Sequence, residues 1–203
     1  MAVRRESPTG SWCGSQEGNA LAVGVRLGLS GDDRVQALAR SLIGWQWPQG
    51  GWNCDRRPET SHPSFHESIT PLWGLAEYIA ATGDREARDA ARKTSEFFLE
   101  HRLFRSHTTG DVGDVRWLDL HWPPYWAYDF AWGLTVLKRA GALPDSRADE
   151  AATLLREKQA HDGRWSTDRR WTNFSTRDPI AGPSRGPSEL LTLNALRVLR
   201  SAT

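Results

Sequence analysis

The densest group of reactive side chains in the sequence is His62-Pro-Ser-Phe-His66-Glu67, which follows Cys54-Asp55 after a short loop. Imidazole titrates near neutrality, so His66 is a candidate general acid or base, with Glu67 beside it as a polar site residue. Cys54, Asp55, His62 and His66 are also ligand types that zinc accepts, although their spacing matches no recognised zinc pattern. A histidine that only orders its loop by hydrogen bonding is the plainer alternative. A second group, Trp122-Pro-Pro-Tyr125-Trp126-Ala-Tyr128-Asp129, sets two tryptophans and two tyrosines beside a carboxylate. Aromatic faces attract a carbocation or an ammonium group, and on a helix Tyr125 and Trp126 share a face with Asp129. Trp122, Tyr125, Trp126 and Tyr128 are therefore candidate substrate-binding residues. Asp129 and Asp55 are the best acid candidates; core packing is the alternative for the aromatics. Arg56-Arg57, and Arg102 with Arg105, have the geometry to grip a carboxylate or diphosphate, unless they are ordinary exposed arginines.

These residues need helices to position them. Apolar residues recur at helical spacing over 19–29, 33–47, 68–81, 85–102, 125–140, 147–159 and 188–199, and no long alternating β-branched run appears. The expected class is all-α. Gly31, Gly83 and Gly141 read as residues that end helices, and Asp32, Asp84 and Asp145 as openers of the next segment. Pro123 and Pro124 suit the first turn of the fifth helix. The segments at 19–29, 68–81, 125–140 and 188–199 are apolar nearly all round, whereas those between them are amphipathic, so buried helices alternate with half-exposed ones. The expected organisation is a single domain over 1–203, with 1–14 a flexible N-terminal segment. The long loop at 166–186 would be mobile or a lid.

The alternation is also a sequence repeat. The Trp-Gly-Leu of residues 73–75 recurs at 132–134, 59 residues on. Gln46-Trp-Pro-Gln-Gly-Gly-Trp52 matches Gln159-Ala-His-Asp-Gly-Arg-Trp165, both Gln-x3-Gly-x-Trp, 113 residues apart. A degenerate middle copy falls at Glu100–Arg105, where the Gln and Trp are lost. A repeat of one buried and one exposed helix is an α/α architecture. With two Gln-x3-Gly-x-Trp copies in register with it, the chain resembles the squalene and oxidosqualene cyclases of the terpenoid cyclase/protein prenyltransferase superfamily, from about residue 14 to the end. With the seven helices read above, the resemblance implies a partial or compact α/α toroid, in which Gln46, Trp52, Gln159 and Trp165 are structural. It also implies a ligand cavity near the N-terminal ends of the inner helices. Glu17, Glu67 and Glu189 stand at such ends, where a carboxylate can equally be a cap or dipole complement. Glu189 joins the substrate-binding candidates on that ground, and Arg102 and Arg105 complete them.

The chain departs from the family in lacking the Asp-x-Asp-Asp acid of the cyclases. It also lacks the Asp, Cys and His spacing of the prenyltransferase zinc site, and it holds only three helix pairs plus one helix. The first expectation is therefore an enzyme of cyclase, isomerase or lyase type. Asp55, His66, Glu67 and Asp129 are its catalytic candidates, and it acts by acid/base or carbocation chemistry on a hydrophobic small molecule. A non-catalytic module binding a peptide or apolar ligand on a concave face is a second. A zinc enzyme using Cys54, Asp55, His62 and His66 is a third. No cofactor motif is read. A formal net charge of +1 argues against a nucleic-acid binder, and no apolar run is long enough to span a membrane. The absence of an apolar leader and the presence of only two cysteines suit the cytoplasm. An incomplete repeat array exposes apolar ends, so pairing of two chains is a further expectation.

Overall fold

Apolar periodicity decides which helix faces are buried, while glycine ends the helix before Gly83 as read but not the one before Gly31, which stops earlier, at Arg26. The structure, a computed structural model, describes residues 13–55, 57, 59–125, 127–168 and 186–200. Among these residues there are seven α-helices: α1 (Gly14–Arg26), α2 (Asp33–Trp45), α3 (Phe65–Thr82), α4 (Arg85–Glu100), α5 (Phe130–Arg139), α6 (Asp149–Glu157) and α7 (Glu189–Leu199). The only sheet among them pairs β1 (Ser166–Thr167) antiparallel with β2 (Gly186–Pro187). The fold is all-α, as the periodicity indicates. Most of the 1–14 segment and of the 166–186 loop lies outside the described residues, as does Trp126.

The chain divides into two compact units. The first runs to Phe97 and includes Arg139–Ala142; the second holds Phe98–Lys138 and the chain from Leu143 onward. In the first unit α3 is buried nearly all round, while α2 buries only Ala39 and Leu42. α1 lies parallel to α3. An added Cβ would meet Trp52 and the Glu67 carbonyl at Gly14, and Thr70 and Pro71 at Gly18, while at Gly74 it would meet Gly18 and Leu21. Further along, Arg26 bonds Glu77 at 3.4 Å. The partners climb both helices together, so the two N-terminal ends lie side by side. The buried Glu77 carboxylate also takes two bonds from Arg139, at 2.9 and 2.7 Å, and one from the Trp73 indole at 3.0 Å. Burial pushes its acidity down, but the Arg139 guanidinium more than offsets this and holds Glu77 below the usual carboxylate range.

The two Gln-x3-Gly-x-Trp segments fold into matching turns. The Trp47 amide donates to Gly51 and the Gly50 amide to Trp47; likewise Ala160 donates to Arg164 and Gly163 to Ala160. Gly50 and Gly163 hold φ of 89° and 81°, the left-handed region open to glycine. The Trp52 indole donates to the Leu42 carbonyl at 3.0 Å, and the Trp165 indole to the Leu155 carbonyl at 2.7 Å. Each acceptor lies in the last turn of the preceding helix, where carbonyls lack helical partners. Each tryptophan amide then donates to a hydroxyl in the first turn of the following helix, Ser68 at 2.9 Å and Thr192 at 3.0 Å. The Gln46 amide differs from Gln159. It reaches the Ala90 carbonyl and Thr94 hydroxyl of α4, both at 2.8 Å, whereas Gln159 closes its own turn on Gly163.

Two helix starts differ by five residues from the pattern read in the sequence, and α3 begins three residues early, at Phe65. α1 begins five residues early, because contact with α3 outweighs the poor helix propensity of Gly14 and Gly18. α5 begins at Phe130 rather than 125, with the Asp129 carboxylate accepting the Trp132 amide at 2.7 Å as an N-terminal cap. Trp122 and Pro123 each precede a proline, which disfavours helical backbone, and Tyr125 holds φ at 46°. Pro123 and Pro124 are therefore not in a first helical turn, and Tyr125 and Asp129 do not share a helix face.

Candidate functional site

The paired N-terminal ends of α1 and α3 gather the most reactive groups of the first unit. Cys13 is the residue that opens α1, Ser15 and Glu17 lie in its first turn, and Glu67 lies in the first turn of α3; Ser15, Glu17 and Glu67 are buried. The first Gln-x3-Gly-x-Trp turn delivers Cys54 to them. Trp52 is tied to α3 through Ser68 and through the Ser64 amide, which donates to the Trp52 carbonyl at 2.8 Å, and Cys54 follows two residues on. The Ser15 amide and hydroxyl donate to the two Glu67 oxygens at 3.1 and 3.0 Å. One donor atom each from Cys13, Cys54 and Glu67 lie within 4.8 Å of one another. Burial pushes the Cys54 thiol up to about 12, and the Glu67 and Cys13 groups push it the same way.

The zinc set read from the sequence is not what the fold assembles. Asp55 turns instead to Arg57, whose backbone amide and guanidinium donate to it. This holds Asp55 well below the usual carboxylate range, ionised and unfit as a proton donor. His62 is exposed, and its carbonyl accepts the Asn53 amide at 2.8 Å. His66 is half-buried in the first turn of α3, next to Glu67. Among the described residues Asp55-x-Arg57 is one of five such turns: Asp32 with Arg34, Asp114 with Arg116, Asp145 with Arg147 and Asp162 with Arg164 have the same amide and guanidinium bonds.

In the second unit Asp129 is 1% exposed and fully engaged. One oxygen caps α5, and the other takes the His121 amide at 3.1 Å and lies 2.6 Å from His121 Nδ1. Burial favours the neutral imidazole, but the charge and hydrogen bond of Asp129 outweigh it and raise His121 above its ordinary value; the carbonyls of Asp119 and Pro124 act in the same sense. A carboxylate so engaged orients a histidine and caps a helix. The adjoining cavity, lined in part by His121, Trp122, Trp132 and Leu191, holds about 10 Å³. That is about one water-sized sphere, against the roughly 300–1,000 Å³ of a ligand pocket.

The remaining aromatic candidates pack. The Tyr128 hydroxyl donates to the Leu103 carbonyl at 2.6 Å and its ring stacks on Phe98 at 5.5 Å; burial, and next the Asp129 charge, raise its pKa well above that of a free phenol. Trp122 and Tyr125 are half-buried, Trp126 lies outside the described residues, and Glu189 is exposed at the start of α7. Arg102 and Arg105 do line an open cleft of about 600 Å³, together with Glu100, His107 and Glu150. Arg105 is paired with Glu150 and also donates to the Gly110 carbonyl at 3.2 Å. The two arginines are thus balanced by two carboxylates in that cleft.

Cys13 and Ser15 at the α1–α3 ends, and the buried His121 partnered with Asp129, are residues that the sequence reading missed. Cys13 could have been found by extending the first apolar helix back through Gly18 and Gly14; no spacing signal marks His121. No family model, curated protein or solved structure matches the chain. No helix among the described residues is long and apolar enough to cross a membrane.

Proposed function

We propose that the protein is an enzyme on an α/α repeat of the terpenoid-cyclase type, acting on a hydrophobic small molecule by acid/base chemistry centred on Glu67. The repeat reading is supported by the two matching Gln-x3-Gly-x-Trp turns, each capping one helix and anchoring the next. The observation that carries the site is a buried carboxylate at the joined N-terminal ends of two parallel buried helices. Among the described residues its oxygens are held by Ser15 rather than by an arginine. Two hydrogen bonds from Ser15 fix the direction in which that carboxylate points. This narrows the catalytic candidates to Glu67 with His66 beside it; Asp55 and Asp129 serve turns and caps. The test is turnover of a panel of acyclic isoprenoid alkenes, epoxides and diphosphates, read by mass spectrometry. The expected result is conversion of at least one member, falling about 10²–10⁴-fold in Glu67→Gln. Failure of the native protein on the whole panel, or undiminished conversion by the variant, overturns the proposal and leaves the non-catalytic binding module.

A further inference from the structure

We propose that Cys13, Cys54 and Glu67 are the three protein ligands of a zinc ion, with a fourth position open. Two thiolates and a carboxylate are a borderline-soft donor set, which selects zinc over calcium or magnesium. Tetrahedral zinc, with bonds of about 2.3 Å to sulfur and 2.0–2.2 Å to oxygen, spaces its donors by roughly 3.5–3.8 Å. The three donor atoms already lie within 4.8 Å of one another, so side-chain rotation of about 1 Å closes the set. They come from three places in the chain: the residue that opens α1, the loop after the first Gln-x3-Gly-x-Trp turn, and the first turn of α3. Trp52 and the Gly14–Glu67 approach hold those places together.

Two further observations point to a ligand. Cys13 stands where serine or aspartate would cap α1, yet its side chain makes no capping bond; the sulfur is directed to Cys54 and Glu67 instead. Ser15 holds both Glu67 oxygens from one side through its amide and hydroxyl. A carboxylate has about four acceptor positions, so lone pairs remain for a metal. Ser15 thereby takes the place of the outer partner that fixes a ligating carboxylate, which makes it a positioning residue. Three protein ligands with an open fourth position is the arrangement of catalytic rather than structural zinc. The bound ion would act as a Lewis acid on an oxygen of the substrate or of water. The site shares Glu67 with the acid/base reading above: a carboxylate bound to zinc is not free to exchange a proton, so the two are alternative uses of that residue, and metal uptake, measured without turnover, lets either proposal fail alone.

The experiment is reconstitution of the reduced full chain with zinc or cobalt(II), followed by desalting, metal analysis and absorption spectroscopy. The expected result is one metal per chain and, with cobalt, intense sulfur-to-metal charge transfer with the visible bands of a tetrahedral ion. Cys13→Ser and Cys54→Ser each abolish the charge-transfer pattern and stoichiometric uptake. Cys13→Ser gives α1 a favoured capping residue, so its loss of metal is not a loss of fold, which circular dichroism verifies. Glu67→Gln and Ser15→Ala weaken binding about 10–100-fold, and Ser15→Ala keeps the tetrahedral spectrum. Asp55→Asn leaves uptake unchanged. Sub-stoichiometric metal in the native chain, a spectrum without thiolate charge transfer, or uptake that survives both cysteine variants overturns the site. So does a Cys13–Cys54 disulfide that persists in reductant.

Discussion

His121 and Asp129 lie 2.6 Å apart in side chains that are each 1% exposed, and the ionisation of His121 is coupled to folding. The folded protein raises the pKa of His121 above 6.5, because the Asp129 carboxylate and the carbonyls around the ring outweigh the cost of burial. The proton is therefore held more tightly in the folded state. The resulting stabilisation is fully present below the unfolded value and is lost as pH rises through the folded value. Denaturant unfolding measured from pH 6 to pH 9 should show declining stability across that window, and His121→Asn should remove that part of the slope. Equal slopes in the two proteins would show that the imidazole is not the group responsible. The Asp-x-Arg turns are a contrasting use of charge. They lie at or near the surface, where screening leaves ion pairs little net energy, and serve to fix local backbone, with Asp32 doing so at the start of α2.

At the scale of elements, the parallel pair α1 and α3 depends on the absence of side chains. A Cβ at Gly18 would sit 2.2 Å from the Pro71 nitrogen and 2.4 Å from the Thr70 carbonyl carbon, both backbone. Neither can give way without moving a helix, so Gly18→Ala should destabilise the protein by at least about 1–3 kcal/mol and loosen the approach of Ser15 to Glu67. Thermal unfolding checks the first effect; an unchanged midpoint would mean the helices are not in close contact. The two tryptophan turns make a paired prediction. Trp52→Phe and Trp165→Phe each strand a last-turn carbonyl, of Leu42 and Leu155, at about 1–3 kcal/mol apiece, and the two costs should be similar because the turns are equivalent. Much of this level is legible in the sequence. Helix identity and the repeat of the tryptophan turn follow from periodicity and spacing, but the alternation of buried with half-exposed helices fails at α7, which buries only Leu191, Ala195 and Val198 and exposes Leu193 and Leu196. The start of α1 was hidden by glycines whose poor propensity is overridden by packing. The start of α5 was misplaced because Asp129 competes for the helix amide only once the prolines have turned the chain. The site suffered accordingly: Glu67 and Cys54 are visible as reactive types, but Cys13 joins them only through the early start of α1.

Over the whole molecule, the proposed metal centre makes the two compact units respond differently to the same ligand. All three zinc ligands lie in the unit that runs to Phe97, whereas α5–α7 belong almost wholly to the other. A ligand that binds only the folded site stabilises it by RT ln(1 + [L]/Kd), about 2.7 kcal/mol at a hundredfold excess over Kd. Amides whose exchange requires opening of that site should then slow by roughly a hundredfold. Hydrogen exchange followed with and without zinc should place this protection in the first turns of α1 and α3 and in the Trp52–Asp55 segment. Rates in α6 and α7 governed by local opening should not change. Protection spread evenly over the chain would instead signal a general effect of the metal on the folded state, and none at all would mean zinc has no folded site to select. The pattern is informative even without a known substrate, because the ligands come from three separate segments whose only common property is their meeting at the N-terminal ends of α1 and α3.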